Sequence, residues 1–322
     1  MIKSDLAIRI QSFRPLALEP IAGQKFLSTL AEVNSDEQLE RTLRKVAYSK
    51  PSAKEASPKK KADDDDEKEH LLRMFAMPWA PKVTSKGTAC ICIKGVIGKN
   101  LNPMEKMLGC TDINDIYDSL KSFEKNQSIK RVILKINSGG GTTTGLEEIA
   151  RYIFNYPKET IAFTDEDMGS AAYWIGSQCQ RVIVTPSSTV GSVGIYVSLV
   201  DNSKQFADEG KEVILIKSGE YKGAGVEGVG LTQLQGDWIQ DEVIELHDTF
   251  KGNVKRARPL ISDKDLQGQS FSGSKAAERN IVTGLVDSFD ELMEQLEGQF
   301  DGDRFAPVTY SGVQPKPNTL IR

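Results

Sequence analysis

Between residues 88 and 217 the chain repeatedly sets a short apolar run against a segment whose apolar residues recur every three or four positions. Residues 88–97 alternate as a strand does, 112–124 line up Ile113, Ile116, Leu120 and Phe123 on one helical stripe, and 129–136 are apolar enough for a strand buried on both faces. A helix over 145–155, strands over 159–164, 181–185 and 193–200, a helix ending at Gly210 and a strand over 212–217 continue the pattern. Strand–helix repeats of this kind predict an α/β fold, a mostly parallel sheet built of β-α units with helices on its faces. Sites in such sheets gather at the loops beyond the carboxyl ends of the strands. A long helix over 232–256 follows, with Ile239, Val243, Leu246, Phe250 and Val254 as its stripe; His247 falls just off it and reads as a surface residue. Two short helices over 261–298 finish the domain.

The flanks differ in character. Residues 1–46 read as a helical N-terminal appendage: Pro20 starts a helix carrying Ala22, Phe26, Leu27 and Leu30, and Ser35 with Gln38 forms capping-box spacing ahead of Leu39, Leu43 and Val46. Residues 47–70, with Lys59 to Lys61 followed by Asp63 to Asp66, bury too little apolar surface to offset their ordering entropy and read as a charged flexible linker. The main domain then covers 71–299, and 300–322 reads as a loose tail.

Composition removes several classes of function. A net charge of −4 gives no electrostatic reason to bind nucleic acid. No apolar run approaches the roughly 20 residues that span a bilayer, nor does the start resemble a secretion signal, so a soluble cytoplasmic protein is expected. Four cysteines and two histidines show no metal-site spacing, which points to reduced, packed thiols with neither metal nor cofactor.

Chemistry concentrates around Ser170, in the stretch from Asp165 to Cys179. Gly169 and Ala171 leave its hydroxyl uncrowded, while Ala171, Ala172, Ile175 and Cys179 can face the core from a short helix. A serine at a helix start is either a nucleophile beside unpaired backbone N–H groups or simply a capping side chain. Three other stretches accompany it. Asn137-Ser138-Gly139-Gly140-Gly141 follows a buried strand as a glycine turn, but has neither the G-K-[ST] of a phosphate loop nor a dinucleotide fingerprint. Val190-Gly191-Ser192-Val193-Gly194 opens a strand. Lys217-Ser218-Gly219-Glu220-Tyr221-Lys222 supplies two lysines, and a serine without a nearby histidine needs a carboxylate or a desolvated lysine as its base.

Taken together, these four stretches resemble the signal-peptide-peptidase A family of Ser-Lys serine peptidases, which share the ClpP/crotonase fold and include phage capsid-assembly (prohead) proteases. The likeness runs over roughly 86–292. Asn137 to Gly141 matches that family's N-S-P-G-G loop with Gly139 in place of the proline. Gly169-Ser170-Ala171-Ala172-Tyr173-Trp174 matches the nucleophile motif, and Val190 to Gly194 matches T-G-S-I-G with Val190 replacing a hydroxyl. Gly268 to Gly273, Lys275-Ala276-Ala277 and Gly284-Leu285-Val286-Asp287 look like its downstream elements.

The resemblance implies Ser170 as nucleophile, Lys222 rather than Lys217 as general base, Gly140 and Ala171 N–H groups as the oxyanion hole, and Ser192 as the residue orienting the lysine. It further implies an endopeptidase acting through an acyl-enzyme on protein or peptide substrates such as capsid and scaffold proteins, in the host cytoplasm or an assembling prohead, and as a homo-oligomer. Two alternatives stand beside it: an acyl-CoA enzyme of the same fold, and a catalytically silent assembly or scaffold protein.

Overall fold

A computed structural model of the protein describes residues 16–18, 82–84 and 86–298. The helices expected from Pro20 and Ser35, the linker over 47–70 and the tail over 300–322 lie outside the described residues.

The fold is organised on strand β5 (Arg131–Thr142). One edge of β5 pairs in parallel with β3 (Thr88–Gly98), from Thr88↔Arg131 to Ile97↔Gly141, with a register shift between Lys94 and Val96. Three strands share the other edge. β6 (Glu159–Thr164) takes Arg131 to Lys135 in parallel, β7 (Asp167–Gly169) meets Ser138 through Met168, and β1 (Leu16–Leu18) runs antiparallel to Gly140–Thr142. The sheet therefore divides at β5. One arm continues through β6 to β8 (Arg181–Val184) and β11 (Gly284–Leu285), all parallel. The other continues from β7 to β9 (Thr189–Gly191) in parallel and to β10 (Ser270–Ser272) antiparallel. The mixed α/β architecture with a mostly parallel sheet is as the sequence predicts.

Alternation on β5 explains why both faces are covered. Val132, Leu134 and Ile136 point into the larger core, whereas Ile133 joins Ile161, Phe163 and Ile183 on the opposite face. Helix α2 (Ile113–Lys125) buries Ile113, Ile116, Leu120 and Phe123 in the larger core. Asp112 starts it, its carboxylate accepting from Asn114 N–H at 2.9 Å. α3 (Leu146–Phe154) adds Leu146, Ile149, Ala150 and Ile153, and Leu292 and Leu296 of α8 (Phe289–Glu297) cover Ile133's face.

α4 (Ala171–Gly176) is buried at every residue. Trp174 stacks on Phe250 with ring centroids 4.3 Å apart, the Tyr173 hydroxyl donates to the Ile281 carbonyl at 2.7 Å, and the Arg258 guanidinium donates to the Cys179 carbonyl just past the helix. A helix so held is a rigid mount. Phe250 and Arg258 come from α6 (Gln233–Ala257) and the residue after it, so the long helix fixes the short one.

Two sequence expectations fail here. Residues 193–200 and 212–217 form no strand; Val200, Ile214 and Ile216 are 86%, 78% and 93% exposed. Val193 still reaches the core and Ile195 packs against it, but the apolar side chains at Val200, Ile214 and Ile216 lie on the surface, a distinction that a short apolar run does not carry. The strand that does form, β9, lies just before the first of these segments.

Candidate active site

Ser170 stands where β7 ends and α4 begins, and the backbone turns sharply there: φ is 52° and ψ −117°. A positive φ is costly for any residue with a Cβ, and such strain of about 1–3 kcal/mol persists only where surrounding structure enforces it. Here Ser170 N–H donates to the Gly191 carbonyl at 2.8 Å and the Ser170 carbonyl accepts from Trp174 N–H at 2.8 Å, pinning both sides of the residue. The side chain makes no capping hydrogen bond. Its Oγ lies 3.5 Å from the Gly194 carbonyl instead, at the outer limit of hydrogen bonding. The side chain is thus not a cap, and Ser170, 1% exposed, sits on a strained strand-to-helix turn, a geometry in which a serine can serve as a nucleophile.

Ser192 occupies the equivalent place one strand over. β7 and β9 pair at Gly169↔Gly191, so each serine follows a paired glycine, and Ser192 is also at positive φ, 54°. It is 5% exposed, and its N–H donates to the Gln269 carbonyl at 2.9 Å. The neighbouring Val193 carbonyl accepts from Gly268 N–H at 2.9 Å. The stretch from Gly268 to Gly273 thus lies along the Ser192 loop.

The glycine run is strand and not turn. β5 continues through Gly139, Gly140 and Gly141 because β3 stays beside it, and the approach is close: a Cβ on Gly141 would lie 1.9 Å from the Ile97 carbonyl oxygen. Only glycine fits. Gly140 has φ 111°, and its N–H donates to the Ser138 hydroxyl at 3.1 Å, while that hydroxyl donates to the Gly95 carbonyl at 2.5 Å. The Gly140 N–H expected for an oxyanion is thus satisfied within its own loop. Ala171 is the first residue of α4, a position whose N–H has no partner inside the helix.

Lys222 is placed differently. It lies in an exposed turn, its N–H donating to the Gly219 carbonyl at 3.3 Å, and Gln235 ties the turn to the start of α6 by donating to the Lys222 and Glu220 carbonyls at 3.3 and 3.4 Å. Lys217 is exposed as well, with Nζ donating to the Glu220 carbonyl at 3.0 Å. Among the described residues no hydrogen bond joins either lysine to Ser170 or Ser192. Ser170, Ser192, Gly140 and Ala171 are thus gathered at the sheet's division, and the lysines stand on an exposed excursion that also carries Ile214, Ile216 and Tyr221.

One residue near the site escaped sequence reasoning. His247 is half-buried, with Nε2 3.0 Å from both the Val193 and the Leu266 carbonyl oxygens. Facing two acceptors, Nε2 carries the proton and clamps the loop whose next carbonyl, Gly194, receives the Ser170 hydroxyl. Its place beside the apolar stripe of α6 was the available signal, because such flanking residues meet the neighbouring loop. No group of three or more metal-ligating side chains occurs among the described residues, and no described helix is long and apolar enough to cross a membrane.

Residues 155–300 match peptidase family S49. The chain is similar to the head-tail preconnector protein GP5 of Enterobacteria phage P21, 26% identical over 62% of this chain and 40% of that protein. It is also similar to the capsid assembly protease C of Escherichia phage lambda, 21% identical over 92% of this chain and 68% of that protein, and to protease 4 of Haemophilus influenzae, 27% identical over 55% and 30%. The aligned parts thus span from under a third to about two thirds of these relatives. Among solved structures, an enoyl-CoA hydratase from Shewanella pealeana aligns over 73% of this chain and 76% of its own at 13% identity and TM-score 0.41. A membrane-bound stomatin-specific protease aligns over 67% and 87% at 12% identity and TM-score 0.36. The residues that match peptidase family S49 include Ser170, Ser192 and Lys222.

Proposed function

We propose that the protein is a serine endopeptidase in which Ser170 attacks the scissile carbonyl and Lys222 acts as the general base. The observation that carries this reading is the Ser170 turn, with positive φ, no capping bond and a hydroxyl aimed across β7 and β9. The Lys222 amine takes the Ser170 proton as Oγ bonds to the carbonyl carbon, and passes it to the leaving amine as the acyl-enzyme forms. Water, deprotonated by the same amine, then hydrolyses the ester and regenerates Ser170. The developing oxyanion is held by the Ala171 N–H and by the Gly140 N–H, which exchanges the Ser138 hydroxyl for the substrate. One such donor typically contributes about 3 to 4 kcal/mol of barrier lowering. Ser192 orients the lysine.

A lysine is a base only when neutral, and removal from water is what favours the neutral amine. The exposed Lys222 turn and its neighbours Ile214 and Ile216 supply the means, since a second copy packed on these apolar residues would desolvate the amine while burying them. The active form is then a homo-oligomer. The substrates are proteins of a phage head, capsid or scaffold, in keeping with the names of the two phage relatives.

Co-expression with the major capsid and scaffold proteins of the same phage, followed by mass measurement, tests this reading. Defined cleavage products are expected with the wild-type chain and none with Ser170→Ala or Lys222→Ala. Cleavage that survives either substitution in a folded protein refutes the dyad.

A further inference from the structure

The edge of β5 beyond β7 is where an extended peptide would reach Ser170, and this chain's own residues lie on it. β7 pairs with β5 at Met168↔Ser138, and two residues further on the chain leaves the sheet at Ser170 to enter α4. That departure frees the β5 edge from Gly140 onward, level with Ser170. β1 takes it, antiparallel, in the register Leu18↔Gly140, Ala17↔Gly141 and Leu16↔Thr142. A free strand edge next to a nucleophile is the surface on which a protein substrate adds as a strand, held by backbone hydrogen bonds that any sequence can supply.

We propose that Leu16–Leu18 is a tethered peptide ligand of this edge, occupying the substrate strand's place, and that a substrate reaches Ser170 by displacing it. The inference rests on the peptidase reading for what the edge is used for, but the occupancy itself does not. The sequence suits a replaceable occupant. Pro15 and Pro20 bracket the segment, and a proline has no N–H to give to a ladder, so the pairing is confined to a few residues. Three ladder positions alone hold weakly, and covalent attachment to the domain makes up the affinity by raising the local concentration of the segment. The occupant also pairs with Gly140, one of the two groups proposed for the oxyanion, so a bound arm and a bound transition state compete for the same backbone.

The test uses the full chain carrying Ser170→Ala, so that nothing is cleaved, with and without Leu18→Pro, which removes the N–H of the residue paired with Gly140. The probe is a fluorescein-labelled peptide of residues 11–22, its binding read by anisotropy. The Leu18→Pro chain should bind it at least about tenfold more tightly than the chain with its arm intact, because a tethered competitor is lost. Hydrogen exchange at Gly140–Thr142 should also quicken in the Leu18→Pro chain without peptide and slow again when peptide is added. Equal affinities, or equal binding of a control peptide carrying the same proline, overturns the proposal. Neither readout needs catalysis. Displaceable binding with an unreactive Ser170 would sink the peptidase reading and leave the occupancy standing, whereas a reactive Ser170 with equal affinities would do the reverse.

Discussion

If the turn at Ser170 stores strain, replacing the residue by glycine should be easier on the fold than the same step elsewhere in a core. The comparison is Ser170→Gly against Ser170→Ala, since both remove a hydroxyl whose contact at 3.5 Å is weak. At an unstrained buried site, going from alanine to glycine loses about 0.8 kcal/mol of methyl burial and about 0.5–1 kcal/mol to the greater freedom of the unfolded chain, a deficit near 1.5. At φ 52° and ψ −117° the alanine keeps a penalty of about 1–3 kcal/mol that glycine does not feel. The midpoint of that range slightly exceeds the deficit, so Ser170→Gly should be at least as stable as Ser170→Ala. Thermal unfolding by circular dichroism decides, at roughly 2–4 °C per kcal/mol for a domain of this size. A Ser170→Gly protein melting some 3–6 °C below Ser170→Ala, the result expected without strain, would refute the argument that the surrounding structure forces the backbone at Ser170.

Two further outcomes follow from the surroundings of the site. His247→Ala leaves the Leu266 carbonyl without this donor and the Val193 carbonyl with only Gly268 N–H, which should cost about 1 kcal/mol and slow acylation of Ser170 by a fluorophosphonate, while distant substitutions on α6 leave acylation alone; an unchanged acylation rate would show that the clamp does not position the loop. Burial pushes the Cys110 and Cys179 thiols up to about 12, so the folded protein should resist iodoacetamide at pH 8 at these two residues, as mass mapping would show. Because the unfolded thiols ionise near 8.5 and the folded ones near 12, the folded state binds more protons in between, and stability should fall as pH rises through that window.

What could be read in the sequence was set by periodicity and local chemistry. Residues 159–164 were legible because Ile161 and Phe163 face one side and Ala162 the other, and 112–124 because Asp112 caps a clear stripe. The candidate stretches were legible as motifs, but their geometry was not, because it comes from neighbours remote in sequence. Gly141 is strand only because β3 lies against it, and Ser192 is held at positive φ by Gln269, which sequence order places far away. His247 looked like a surface residue because its partner carbonyls at Val193 and Leu266 belong to other elements. The same limit explains residues 212–217: Ile214 and Ile216 read as strand core, and nothing local tells a core run from an exposed apolar surface. The Lys222 turn lies on the same exposed excursion, so the motif that suggests Lys222 as the base does not reveal that the folded chain holds it exposed.

The central claim is the Ser170–Lys222 pair, and the most direct measurement is intact-mass and peptide mapping of the protein after reaction with a fluorophosphonate. A single adduct on Ser170, absent from Ser170→Ala and strongly reduced in a folded Lys222→Ala protein, is the expected result. An adduct on another residue, or undiminished labelling of Ser170 without Lys222, would contradict it.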